Sequence, residues 1–324
     1  MLTEKQKEYI GVYAAIPSPN MFYWDLFREA REAYLGLGET INLDEVMAEM
    51  KEAGIVPRDT ELPPMTVNGN VAVSITPDIV GNSVGISALD SINANRTDTV
   101  VVNGQQMTAS QYDVENKTMT LKNSICNTTN RMAAQALLTG KVKCAGGQEV
   151  DMKLPKDVEV GAKPKSWVTF FVEKINDYQI ETGYMPTYIL VGSKIAAELI
   201  TEIQNTKASL LAAKVEKKGQ SAIININGVL SEIRTLPPAI GYKNLITETE
   251  NKVFFINNMS LVPLYAGLEF VGDTNNPEMM RGDVFVDKGD VNKQTGRATL
   301  FAKSAPFPAI ALPKLIKVYK VTLG

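Results

Sequence analysis

Residues 130–142 read NRMAAQALLTGKV, an apolar helical pattern that stops at Thr-Gly-Lys before the chain turns polar and extended. Two readings compete, a phosphate-binding loop and the end of a structural helix. A P-loop has glycine, four residues, then Gly-Lys-Ser/Thr, and it opens a helix, because amides freed by glycine surround phosphate at the helix N-terminus. Here Gln135 stands where the first glycine belongs, Val142 follows Lys141, and the helix precedes the Gly-Lys pair. The polarity is reversed, so the stretch reads as a helix stop.

Upstream of it, Ile125, Thr129, Met132, Ala136 and Gly140 fall at four- and three-residue steps. That spacing predicts a helix over 124–140, about 17 residues or roughly 25 Å. Gly140 suits a left-handed cap, with Lys141 and Lys143 near the negative end of the dipole. A strand, KVKCAGGQEVDMKL, follows from 141.

Residues 98–122, DTVVVNGQQMTASQYDVENKTMTLK, contain Asn103-Gly104 between extended runs, the pair favoured in tight hairpin turns. Thr118, Thr120 and Lys122 alternate with Met119 and Leu121, so at most one face is buried. The pattern suits a hairpin projecting from the body and equally an edge hairpin of an ordinary sheet. Asn68-Gly69 and Asn227-Gly228 sit in similar contexts.

Further out, residues 1–65 read as an arm with short helices. Phe22, Leu26, Ala30 and Ala33 share one face, and NLDEVMAEMKEAG offers Asn42 as N-cap, Glu45 three residues on and Gly54 as stop. PKSWVTFFVEKINDYQIETG predicts an amphipathic helix with Trp167, Phe171, Ile175 and Tyr178 on one side and Gly183 after its end. PTYILVGSKIAAELITEIQ predicts a buried strand, a turn and a helix. The polar run 272–297 reads as exposed loop with a short strand at 284–286. Pro306, Pro308 and Pro313 favour extended backbone leading to a terminal strand.

Composition removes several kinds of chemistry. The 324 residues contain no histidine, which excludes Ser-His-Asp and Cys-His schemes and imidazole-dependent zinc sites. Cys126 and Cys144 are too few and too far apart in sequence for a four-thiolate or Cys-x-x-Cys site, and read as buried free thiols or a disulfide. A net charge of -3 gives no general excess for gripping nucleic acid. The N-terminus has no export-signal pattern and no run of about 18 apolar residues predicts a membrane span. The expectation is synthesis in a cytoplasm with no membrane partner. LVGSK at 190–194 has strand-then-helix order but one glycine, and RGD at 281–283 is a short match in a polar loop. No spacing singles out a catalytic carboxylate pair.

ITPDIVG at 75–81, RMAAQALLTGKVKCAGG at 131–147 and KSAPFPAIALPKLIKVYKV at 303–321, with the spacing between them, resemble the major capsid proteins of lambda-like tailed phages. The resemblance implies an α+β chain with the Hong Kong-type capsid fold. It divides the sequence into an N-terminal arm (1–65), an extended loop with its base (66–122, tip about 98–122), a spine helix and peripheral domain (123–185), an axial domain (186–302) and a terminal strand returning to the peripheral domain (303–324). It implies a non-enzymatic shell protein forming hexamers and pentamers of an icosahedral head in the virion, assembled in the bacterial host cytoplasm. Partners would be other copies, a scaffolding protein, a portal and a decoration protein, enclosing double-stranded DNA without sequence-specific binding and without a cofactor. Inter-subunit contacts are then expected at Asp98, Asn103, Gly104, Gln105, Asp113, Glu115 and Lys117. A bacterial nanocompartment shell and, from another class, a cytoplasmic carboxylate-dependent enzyme are the alternatives.

Overall fold

The computed structural model describes residues 2–42, 74–86, 100–102, 105–107, 109–143, 147, 149–205, 213–218, 221–226, 231–237, 247–272, 276–290, 292 and 297–323. The helix proposed over 42–54, the Asn68-Gly69 turn and Cys144 lie outside these residues. Asn42 itself belongs to a short strand, Ile41–Asn42, paired antiparallel with Ser74–Ile75.

The centre is a seven-stranded mixed sheet in the order Ala213–Lys218, Ser221–Ile226, Glu232–Thr235, Tyr188–Val191, Lys252–Ile256, Ile316–Val321, Val158–Val160. Side chains alternate across its two faces. Tyr188, Leu190, Phe254, Ile256, Ile316 and Val318 join one core. Ile189, Val191, Val253, Phe255, Tyr319 and Val321 join another, beneath the helices Trp167–Thr182 and Ser193–Asn205. The Trp167–Thr182 helix is held as its sequence predicts. Ser166 Oγ accepts the Thr169 N–H, and Gly183 closes the end at φ 76°.

The long helix differs from expectation. It spans Ala109–Thr139, 31 residues, so the stretch 109–122 expected in a hairpin is helical. Only Val100–Val102 and Gln105–Met107 form the hairpin. The reason is the composition of the buried stripe. Thr118, Lys122 and Thr129 are buried alongside Leu121, Ile125 and Cys126, so polar residues occupy core-facing positions at helical spacing. Reading Thr118 and Lys122 as solvent-facing turned a helix into an alternating strand. At the other end Gly140 has φ 71° and donates its N–H to the Ala136 carbonyl at 2.8 Å, the expected cap. A Cβ there would meet the Leu154 side chain at 2.7 Å. Lys141 then pairs with Glu149 across the Lys141–Lys143 and Glu149–Asp151 hairpin.

The long helix lies on a three-stranded antiparallel sheet of Phe285–Lys288, Ala298–Ser304 and Val80–Ile86. Tyr13, Val80, Leu121, Ile125, Val286, Leu300 and Ala302 form its core. A third sheet joins Tyr34–Leu35, Leu261–Tyr265 and Pro306–Ile310, with Pro306 and Pro308 on an edge strand where a missing N–H is tolerated.

Four further expectations change. Helix Phe22–Ala30 is no free arm, since Tyr23, Trp24, Leu26 and Phe27 are buried in the main core. Among its described residues the polar run 272–297 has, besides the expected short strand, found at Phe285–Lys288, another at Pro277–Met280, and Phe285 and Val286 are buried. The terminal segment 303–324 divides among all three sheets, with Pro313 in a 3-10 turn and Ile316–Val321 inside the seven-stranded sheet. A boundary at 185/186 would cut through one packed layer, because helix Trp167–Thr182 covers strands on both sides of it.

Candidate assembly surface

The hairpin places Val102 opposite Gln105 and Val100 opposite Met107. Asp98, Asn103 and Gly104 lie outside the described residues. Gln105 opens the second strand. Asp113, Glu115 and Lys117 sit instead on the first turns of the long helix. Lys117 Nζ pairs with Asp113 Oδ2 at 2.7 Å, an i,i+4 contact along one helix face. Glu115, two residues away, points about 200° around the axis from Asp113. Asp113 and Glu115 therefore do not share one face of the helix.

Two places with the look of a chemical site are structural joints. At 190–194 a Cβ on Gly192 would lie 2.0 Å from the Thr249 carbonyl oxygen, and Lys194 pairs with Glu250 at 2.8 Å. The backbone of 249–250 fills the space a phosphate would need. The second is a cavity of about 610 Å³ between helix Glu4–Ala15, the long helix and residues 282–284, with Tyr13, Lys122, Cys126 and Tyr265 in its wall. Its groups are poorly disposed for nucleophilic work. Burial pushes the Cys126 thiol up and the Tyr265 hydroxyl up to about 12, and the Lys122 ammonium is engaged with two carbonyls. Among the described residues no group of His, Cys, Asp or Glu could hold a metal ion, and no helix is long and apolar enough to cross a membrane.

No protein-family profile and no curated protein matches the chain. Solved structures do. A prophage protein of E. coli CFT073 assigned as its capsid protein superposes with a TM-score of 0.61 at 14% identity, over 99% of each chain. The chain has the Hong Kong-type capsid fold. Weaker likenesses, at TM-scores of 0.48 and 0.47, are to an encapsulin of Synechococcus elongatus PCC 7942 and to the mature capsid of bacteriophage PhiM1. They are 10% and 11% identical and cover 96% and 95% of this chain, and 94% and 88% of those chains.

In this version of the Hong Kong-type capsid fold, polar side chains that the sequence reading passed over tie the N-terminal helices to the body. Asn130 Oδ1 on the long helix accepts the N–H of Tyr23 at 2.9 Å and of Trp24 at 3.2 Å, capping the helix Phe22–Ala30 that has no cap of its own. Lys122 Nζ donates to the carbonyls of Tyr13 and Ile16 at 2.8 and 2.5 Å, at the C-terminal end of helix Glu4–Ala15. A cation at that end is favoured by the helix dipole. Gln6, buried, donates to Val271 O and Asp287 Oδ2 at 3.0 and 2.8 Å. Arg234 pairs with Glu29 at 3.0 Å, stacks over the Tyr188 ring at 4.4 Å and bonds Glu232 at 2.6 Å. The signal available in the sequence was a polar residue recurring at a core-facing helical position, as at 118, 122 and 129.

Proposed function

We propose that the chain is a non-enzymatic shell protein that self-assembles into hexamers and pentamers of an icosahedral phage or prophage head enclosing double-stranded DNA. The end-to-end likeness to the prophage capsid protein carries this reading. The hairpin at 100–107 and the start of the long helix are the tip and root of an extended loop reaching a neighbouring copy, with Gln105, Asp113, Glu115 and Lys117 at or beside that contact. Head-to-tail contacts of this kind close into rings. Many modest contacts summed over a shell give durability while a misplaced subunit can still leave. The small net charge of -3 suits a wall that confines DNA without gripping it. A scaffolding protein, a portal and a decoration protein are the further partners, the host cytoplasm the place of assembly and the virion the destination. Sedimentation velocity of the protein co-expressed with its scaffold tests the reading. Particles far larger than a hexamer are expected, and a purely monomeric boundary would contradict it. Nuclease-protected DNA inside particles from an infected host separates a head from a compartment that encloses protein.

A further inference from the structure

One edge of the seven-stranded sheet is the strand Val158–Val160, three residues paired parallel with 319–321. At the opposite edge Ala213–Lys218 makes six pairs with its neighbour. Pro155, Gly161 and Pro164 keep the short strand short, and none of residues 153–166 is buried. Val158 is 46% exposed, so apolar burial holds the strand only weakly. Both ends of the segment are anchored. Met152 is buried in the main core with Leu154 packed against it, and Lys163 pairs with Glu198 at 2.8 Å just before the buried Trp167.

Charge holds the middle of the segment. Lys252 and Lys320 are direct partners on adjacent antiparallel strands, a like-charge pair that weakens a sheet when left to itself. Asp157 Oδ2 meets Lys252 Nζ at 2.6 Å, and Glu159 Oε1 meets Lys320 Nζ at 3.0 Å. The short strand thus brings one carboxylate to each lysine. We infer that residues 157–160 are a salt-released cover on the edge of the seven-stranded sheet. Screening the two pairs removes an attraction that three paired residues do not replace. The anchored ends let the middle lift while both cores stay packed. On the covered side the Thr322 N–H donates to the Val160 carbonyl at 3.0 Å. The Val321 N–H points the other way, to the Asn251 carbonyl at 2.9 Å, so by alternation the Lys320 N–H shares the covered side. Lifting the cover turns Ile316–Val321 into an edge with unpaired main-chain donors and acceptors, the form that accepts an added strand. The device belongs to the single subunit and goes beyond the shell reading without resting on it.

The test is amide hydrogen exchange of the full chain as the unassembled subunit, read residue by residue by NMR, because Thr322 and Val321 are adjacent but bond on opposite sides of one strand. Raising the salt from about 0.01 M to about 1 M shortens the Debye length from about 30 Å to about 3 Å. The exchange rate of Thr322 relative to Val321 is expected to rise about fivefold, the effect of screening two partly exposed ion pairs of ordinary strength. Asp157→Asn combined with Glu159→Gln, both at exposed positions, is expected to give the same rise at low salt and to abolish the salt response. A ratio that salt leaves unchanged overturns the inference, since simple fraying of the chain end would expose Thr322 equally at both salt concentrations. A double variant that keeps the parent's ratio and salt response overturns it as well. Neither result bears on whether particles form, so the shell reading is judged separately.

Discussion

The side-chain oxygen of Asn130 accepts the backbone N–H of Tyr23 at 2.9 Å, so one residue of the long helix caps the start of another helix 107 positions earlier. Asn130→Ala removes that acceptor and leaves the N–H groups of Tyr23 and Trp24 without it. Loss of a cap costs about 1 kcal/mol, within a range of roughly 0.5–2. The denaturation midpoint is expected to fall accordingly, and Asn130→Asp, which keeps the acceptor, to recover most of it. Equal losses in both variants would assign the effect to something other than the cap.

Lys122 secures the other N-terminal helix. Lys122→Met keeps a long apolar side chain but deprives the Tyr13 and Ile16 carbonyls of their donor. Leaving buried acceptors unpaired costs roughly 1–3 kcal/mol. Hydrogen exchange is expected to rise in residues 4–15 well before it rises in the seven-stranded sheet. Uniform acceleration across the chain would show that this helix is not a separate unit.

Alkaline pH is expected to weaken the fold. Burial pushes the hydroxyls of Tyr188 and Tyr265 up to about 12 from 10.0, with Glu29 adding to the shift at Tyr188 and Asp283 at Tyr265, and raises those of Tyr13, Tyr23 and Tyr178 further. A raised folded pKa gives stability that is fully present below the unfolded value and is lost as pH rises through the folded one. Between pH 10 and 12 each such tyrosine withdraws about 1.4 kcal/mol per pH unit. Lys122, Lys303 and Lys317, held below 10.5 by burial, work in the opposite sense but are fewer than the raised tyrosines. Melting temperature followed upward from pH 9 should drop steeply above about pH 10. A flat profile would mean that the tyrosines ionise in the folded state.

At the loop root, Glu115→Lys separates assembly from folding. Glu115 is half-exposed, and a substitution there changes monomer stability by roughly 0.5 kcal/mol or less. Particle yield is expected to fall while the monomer's melting temperature holds. Unchanged yield would remove Glu115 from the inter-subunit contact.

Much of the fold was legible where apolar periodicity and punctuation agreed. The Trp167 to Tyr178 stripe and Gly183 predicted one helix with its C-terminal end. Gly140 marked the stop of the long helix, and Asn103-Gly104 a hairpin. What stayed hidden was tertiary override of polarity. Thr118, Lys122 and Thr129 face the core because neighbouring carbonyls and helix ends receive them, and no local pattern announces such partners. For the same reason Phe22 to Phe27 read as an arm, since their partner strand, Leu261–Tyr265, lies far along the chain. The expected contact residues rest on the family resemblance alone, because no local pattern marks a surface that another copy would cover.

Electron cryo-microscopy of the protein co-expressed with its scaffold addresses the central claim most directly. The account predicts closed icosahedral shells built of hexamers and pentamers, each subunit with its hairpin at 100–107 laid on a neighbour. Discrete monomers or small oligomers, with no closed particles in the micrographs, would contradict it.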